Sequence, residues 1–429
     1  MTIAQIHQGF LNSESLSTDT RTILPGAMYF ALSGENFNGN QYAQQALDKG
    51  ASYVVIDDPQ VYDKEDKRML LVEDALKALQ GLASYHRSYL GLPIIALTGS
   101  NGKTTTKNLI RQVLSQQFNI QATKGNLNNH IGVPLTLLSM TEEHDLGLVE
   151  MGANHPGEID LLCSIAQPNY GYITNFGKAH LEGFGSLEGV INAKTELYRY
   201  LESKGGSVFV CKNDDKQMEL SKTQDRILFE SGDSDAFDFQ LLTAQPRLRF
   251  RYKKSEVTTN LVGAYNFLNC IAAMAIGAYF GVSEKKLIQA VSCYTPENNR
   301  SQIIKTDKNT LLLDAYNANP TSIRAAIDSF VAEEDAVNKT MILGDMLELG
   351  DFAYQEHQAI VDMLAAYTSI KVYLVGENFK KTQTKSSHIS FYNNRNALEL
   401  MLKEEAIEAN YILLKGSRGI ALEKLIEYL

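Results

Sequence analysis

The 429-residue sequence is short of proline, with 9 Pro beside 30 Gly, and it contains neither a low-complexity tract nor a short-period repeat. Collagen-like and linker-dominated architectures are thereby excluded. Cysteine is also scarce: Cys163, Cys211, Cys270 and Cys293 lie far apart, form no C-x-x-C pair and sit among apolar neighbours. Buried free thiols in a reducing compartment are expected, not disulfides or a zinc site. No apolar run is long enough to span a bilayer; the most apolar stretch, Cys270 to Gly281, is Ala-rich and reads as a buried helix. The first ten residues lack a basic segment followed by an apolar one, so no signal peptide, no membrane insertion and a cytoplasmic location are expected. Positive charge is in deficit as well. Forty Lys+Arg against fifty Asp+Glu give a net charge of −10, which disfavours nucleic acid as a partner because such binding rests on phosphate neutralisation.

What remains is the balance of an ordinary globular chain, 44% hydrophobic and 21% charged. At roughly 150 residues per domain the length suggests two or three domains. Residues 1–91 carry strand patterns at Ala27–Leu32 and Tyr53–Ile56, a helical segment from Tyr42 to Lys49, and a helix from Glu73 to Leu90. Gly91-Leu92-Pro93 then breaks the chain. Residues 92–297 repeat a theme of short apolar strand, polar loop and helix, with strands at Ile94–Leu97, Leu146–Val149 and Tyr170–Ile173. Continuous apolar runs of this kind predict a mostly parallel sheet covered on both faces. Helices from Asn266 to Phe280 and Ser283 to Val291 close this part, and the turn-forming Pro296-Glu297-Asn298-Asn299 marks a second boundary. Residues 298–429 return to the α/β pattern, with strands at 311–313, 341–343, 372–375 and 411–414 and a helix capped by Asn319 with Pro320 at its first position. The expected architecture is α/β in three domains, the last one Rossmann-like.

Polar residues at the carboxyl ends of parallel strands converge on one edge, where such sheets bind ligands. Thr98-Gly99-Ser100-Asn101-Gly102-Lys103-Thr104-Thr105-Thr106 follows a buried-strand pattern and opens a helix. Unpaired N–H groups at a helix N-terminus, glycines that let the backbone approach, a lysine and a hydroxyl for Mg²⁺ make this a phosphate loop. It is shorter than the common form, because the residue at the position of that form's first glycine is Leu97. Glu150 ends a strand and is either a magnesium ligand or a solvated acid. Asn266 and Asn269 share a helix face and either read an adenine edge or cap the helix. Asp314, at another strand end, is placed to bind ribose hydroxyls. The loop from Lys415 through Ser417 and Arg418 precedes a predicted helix and offers cations to a carboxylate or phosphate.

The shortened loop resembles the ATP loop of the Mur ligases and their relative folylpolyglutamate synthetase, ATP-dependent enzymes that join an amine to a carboxylate. Matches in all three parts extend the likeness over essentially the whole chain. The resemblance implies a central P-loop ATPase domain that binds ATP through Gly99, Asn101, Gly102, Lys103, Thr104, Thr105, Asn266, Asn269, Arg300 and Asp314, with Tyr265 standing where histidine is common. It also implies two Mg²⁺ ions held by Thr104, Glu150, His180 and a carbamylated Lys194. The segment Ser17-Thr18-Asp19-Thr20-Arg21 resembles the uridine-nucleotide-binding segment of the later Mur ligases, which folylpolyglutamate synthetase lacks. Asn126, Asn128 and Asn129 would meet the UDP-linked peptide. Asn154 and its neighbours, with Tyr316-Asn317-Ala318-Asn319-Pro320, look most like the family member that adds D-alanyl-D-alanine to a UDP-N-acetylmuramoyl-tripeptide. Lys415, Ser417 and Arg418 would complete the substrate side. These small molecules are the expected partners, and a monomer is the expected state. Two alternatives are the ligase that adds the third amino acid, whose Asp-Asn-Pro-Arg tetrapeptide is absent here, and a nucleotide-gated switch of a different class.

Overall fold

The computed structural model describes residues 1–232, 238–297, 299–333 and 338–429; Asn298, at the expected second boundary, lies outside them. The N-terminal part is a four-stranded parallel sheet of Ser15–Ser17, Ala27–Phe30, Tyr53–Ile56 and Met69–Leu71, in chain order. Helices Ile3–Leu11 and Ala75–Leu90 pack on it and on each other. The second begins at Asp74, whose side chain accepts from Lys77 N, and ends at Gly91, as the glycine–proline break predicts.

The central sheet has six strands, all parallel, in the order Asp225–Phe229, Ser207–Cys211, Tyr170–Ile173, Ile94–Thr98, Leu146–Glu150, Ile120–Ala122. Strand alternation sends Ile95 and Leu97 into one core with helices Lys103–Leu114 and Tyr265–Tyr279. Ile94 and Ala96 face the opposite core with helices Glu158–Ala166 and Glu196–Lys204. Every residue of strand Ile94–Thr98 is buried, which is why its sequence is apolar throughout.

A three-stranded antiparallel sheet, Phe239–Thr243, Arg249–Tyr252 and Ser255–Thr258, adjoins this part and was not expected. Its central strand alternates exposed Arg249 with buried Phe250 and Tyr252, a period of two that the Arg-rich composition obscures.

The C-terminal sheet orders Gln302–Lys305, Thr310–Asp314, Tyr411–Lys415, Lys339–Gly344, Lys371–Val375 and Ile389–Tyr392; its first strand is antiparallel and the rest are parallel. Asn319 caps helix Pro320–Val331 through a capping box with Pro320 at the first turn, as expected. Two expectations need correction. After Lys415 the chain makes short 3₁₀ turns, Arg418–Ile420 and Leu422–Tyr428, in place of an α-helix, with Ala421 between them at φ 56°. Cys293 is exposed, whereas the other three cysteines are buried. The buried stripe of its helix runs through Leu287, Ala290 and Val291, and a position two beyond Val291 falls off that stripe. No helix among the described residues is long and apolar enough to cross a membrane.

Candidate active site

The carboxyl ends of the central strands and of the C-terminal strands Thr310–Asp314 and Tyr411–Lys415 face a shared cleft of about 680 Å³. The phosphate loop forms its floor. Gly99 sits at φ 140°, and a Cβ there would lie 2.0 Å from Thr174 Oγ1, so the tight turn out of strand Ile94–Thr98 accepts only glycine. The next strand braces the loop: Thr174 Oγ1 donates to Asn101 O at 2.6 Å, Asn101 N to Asn175 Oδ1 at 3.0 Å, and Ser100 Oγ to Gly177 O at 2.9 Å. Lys103 is folded back, its Nζ donating to Gly99 O at 2.7 Å and Ser100 O at 3.3 Å. Burial lowers its pKa, against the opposing charge of Glu150.

Glu150 is 1% exposed. Its Oε1 accepts from Asn128 Nδ2 at 2.8 Å and Thr104 Oγ1 at 3.2 Å. Its Oε2 is buried without a hydrogen bond and lies 3.4 Å from Lys107 Nζ. Glu150 is therefore no solvated strand-end acid. A hydroxyl and a carboxylate oxygen at a helix N-terminus are hard donors that fit a magnesium ion keeping phosphate and water oxygens in its other positions. Among the described residues no group of three His, Cys, Asp or Glu is placed to hold a metal ion by itself.

His180 adopts φ 53° at the start of the short helix Leu181–Phe184, with its Nδ1 against the Glu348 carboxylate of the C-terminal part. Lys194 does not line the cleft. It is 1% exposed, with Nζ 3.3 Å from the O of Ala153, a residue that does line the cleft, and 5.2 Å from the centre of the Phe184 ring. Burial, seconded by the charge of Lys103, brings its pKa down to about 7.

On the other side, Asn266 and Asn269 line the cleft. Asn266 Nδ2 donates to Val262 O at 2.8 Å, Asn269 Nδ2 to Asn266 Oδ1 at 2.9 Å, and Thr106 Oγ1 to Asn269 Oδ1 at 3.0 Å. Asn266 is thus no helix cap; that place belongs to Ala264, without a side-chain bond. Asp314 accepts from Ser301 N at 3.2 Å and from Lys415 Nζ at 2.6 Å. Lys415 is 2% exposed, so its charge is already matched. Ser417 Oγ accepts from Leu347 N at 3.0 Å. The Arg300 guanidinium lies 3.8 Å from the centre of the Tyr316 ring, and that of Arg418 lies 5.6 Å from it.

The cleft brings together Asn101, Gly102, Lys103, Thr104, Thr105, Asn126, Asn128, Asn129, Glu150, Asn154, His180, Asn266, Asn269, Arg300, Asp314, Tyr316, Asn317 and Lys415. Gly99, Lys194, Ser417 and Arg418 stand outside its lining. So does the N-terminal group Ser17, Thr18, Asp19 and Arg21, where Arg21 and Asp19 pair at 2.7 Å on the surface. Sequence reasoning missed Lys107, Ser301 and Glu348 as parts of this constellation and named Tyr265 only as a departure from histidine. Lys107 carried a signal, one helical turn beyond Lys103. Glu348 carried none, because only docking of the C-terminal part brings it to His180.

Three family models match the chain: Mur ligase family, catalytic domain, over residues 13–87; Mur ligase middle domain over 97–277; and Mur ligase, glutamate ligase domain, over 299–418. The UDP-N-acetylmuramoyl-tripeptide--D-alanyl-D-alanine ligase of Bacillus subtilis is 34% identical over 96% of this chain and 92% of its own length. That of Escherichia coli is 33% identical over 97% and 93%. The crystal structure of MurF from Acinetobacter baumannii superposes with a TM-score of 0.85 at 29% identity, covering 99% of this chain and 98% of that one.

Proposed function

The chain belongs to the Mur ligase family, and from that premise we infer that it is an ATP-dependent, ADP-forming ligase adding D-alanyl-D-alanine to a UDP-N-acetylmuramoyl-tripeptide in peptidoglycan synthesis. The observation that carries the reading is the cleft, in which the shortened phosphate loop faces Arg300, Asp314 and Tyr316 from the other side.

In the proposed reaction the tripeptide carboxylate attacks the γ-phosphorus of ATP and the bond to the β-phosphate oxygen breaks, giving an acyl phosphate and ADP. The dipeptide amine then adds to the acyl carbon, loses a proton, and expels inorganic phosphate. No enzyme nucleophile is needed. The work of the protein is positioning and charge stabilisation. Lys103 would exchange its bonds to Gly99 O and Ser100 O for the β- and γ-phosphate oxygens, beside the N–H groups that open helix Lys103–Leu114. Thr104, Glu150, His180 and a carbamylated Lys194 would hold magnesium, two ions in all, which when bound neutralises the phosphoryl oxygens. Lys194 supports the carbamate because only a free amine adds CO₂, and its buried amine titrates down to about 7. Asn266 and Asn269 face the adenine, Asp314 the ribose, and Ser17, Thr18, Asp19 and Arg21 the uridine nucleotide. Asn126, Asn128, Asn129, Asn154, Tyr316, Asn317, Lys415, Ser417 and Arg418 would meet the peptides.

Water must be kept from the acyl phosphate. Contacts between the central and C-terminal parts would serve that purpose: Asn319 Nδ2 to Asn101 Oδ1 at 2.7 Å across the cleft, and Lys178 Nζ to Glu356 Oε1 at 2.5 Å outside its lining. The same proposal divides the chain at 91/92 and 297/298 and describes a cytoplasmic monomer. The test is ADP release with UDP-tripeptides carrying lysine or diaminopimelate, with and without D-Ala-D-Ala. Full turnover should need both substrates. Equal release with neither, or with a free amino acid in place of the dipeptide, would refute the reading.

A further inference from the structure

The linker into the C-terminal part holds two non-glycine residues in the left-handed region, Asn299 at φ 57° and Ser301 at φ 48°, and Arg300 lies between them. Side-chain sterics disfavour that conformation, so it persists only where the surroundings impose it. Here they do so on both sides of Ser301, which is 6% exposed. The Tyr265 hydroxyl lies 2.8 Å from Ser301 Oγ, and Ser301 N donates to Asp314 Oδ1 at 3.2 Å. Tyr265 is itself fixed. It opens helix Tyr265–Tyr279, and its ring folds back over Gly263, at φ 88°, where an added Cβ would meet the ring at 2.4 Å.

The bend decides where Arg300 points. Its guanidinium stacks on Tyr316 at 3.8 Å, its Nε is buried without a hydrogen-bond partner, and it lines the cleft with Lys103 and Thr104. A buried guanidinium nitrogen without a partner is costly, and an anionic oxygen in the cleft would satisfy it.

We propose that Tyr265 and Ser301 are positioning residues, whose paired hydroxyls hold the linker in the bend that turns Arg300 into the cleft toward the triphosphate of ATP. The inference rests on the nucleotide reading of the cleft. It goes beyond that reading by giving a linker hydroxyl and a residue of the central core control over a cation that meets the nucleotide.

The test uses the full chain and two variants that reach the same bond from opposite ends. Tyr265→Phe removes one oxygen and keeps the ring over Gly263. Ser301→Gly removes the hydroxyl but suits the left-handed backbone. Each should raise KM for ATP about tenfold, the scale of one charge-assisted contact, with kcat changed less than about twofold and the melting temperature little altered. The Kd for a non-hydrolysable ATP analogue, measured by calorimetry, should rise in parallel, a readout that does not need turnover. Arg300→Ala should raise both constants at least as far, and Tyr265→Phe added to it should raise them no further. Unchanged ATP affinity in Tyr265→Phe or Ser301→Gly would overturn the proposal, and so would full additivity with Arg300→Ala. Unchanged affinity in Arg300→Ala would overturn it together with the assignment of Arg300. A wild-type chain that binds the analogue but forms no ADP would count against the ligase reading alone.

Discussion

Lys107 Nζ lies 3.4 Å from Glu150 Oε2, and the two side chains are 2% and 1% exposed. Lys107 comes from the phosphate-loop helix and Glu150 from the end of the neighbouring strand Leu146–Glu150. Burial pushes the lysine pKa down, while the charge of Glu150 pushes it back up. The pair therefore ties the loop to the sheet and orients the carboxylate that faces Thr104.

Removing one partner of a buried pair strands the other charge. Lys107→Met should destabilise the chain by about 3 kcal/mol or more, read as a lower urea midpoint. The same variant should change the magnesium concentration needed for half-maximal activity. A midpoint equal to wild type would show that the pair contributes nothing net.

Lys103→Met should behave in the opposite way. Its ammonium is bound to loop carbonyls and burial opposes its charge, so the fold loses little. The expected result is a fall in kcat of about 10²–10³, the scale seen when a donor to developing charge is deleted, with a urea midpoint close to wild type. A variant that kept full turnover would remove Lys103 from the phosphate site.

Much of the site was legible because it is local. The order strand, glycine, lysine, threonine along 94–106 dictates a phosphate loop, and Asn319-Pro320 dictates a helix start. Continuous apolar runs such as Ile94–Leu97 marked the parallel strands, since strands buried on both faces carry no polar alternation. What was not legible depends on docking. Glu348 reaches His180, and Tyr265 reaches Ser301, across distances in sequence that no motif spans. Lys415 read as a free cation until Asp314, paired with it in parallel register, took its charge. The strand Arg249–Tyr252 hid because its arginines masked an alternation.

Asn319 performs two tasks with one amide. Its Oδ1 accepts from Ser322 N at 2.9 Å and caps helix Pro320–Val331, while its Nδ2 donates to Asn101 Oδ1 at 2.7 Å across the cleft. Asn319→Asp keeps the cap, since a carboxylate suits a helix N-terminus, but removes the Nδ2 donor that Asn101 Oδ1 accepts from. Thermal stability should stay within about 1 kcal/mol of wild type, while KM for ATP rises and hydrolysis of ATP uncoupled from amide formation increases. Asn319→Ala should lose both stability and coupling. Equal coupling ratios in Asn319→Asp and wild type would show that this contact does not guard the acyl phosphate.

Lys194 links burial, pH and chemistry. Its pKa is about 7 in the folded chain, against 10.5 when unperturbed. The unfolded chain therefore binds more protons at this site between those values, so its contribution to stability rises with pH from about 7 upward and the burial penalty is full below 7. Lys194→Met removes that titration, and the difference in stability between variant and wild type should shrink as pH rises through this window. The carbamate reading adds a second dependence with the same sign. The amine adds CO₂ and releases a proton, so activity should climb through pH 7 and respond to bicarbonate when bicarbonate is limiting. In Lys194→Met the bicarbonate response should vanish and kcat should fall. A variant as active as wild type at every bicarbonate concentration would leave Lys194 as a buried amine with no part in the reaction.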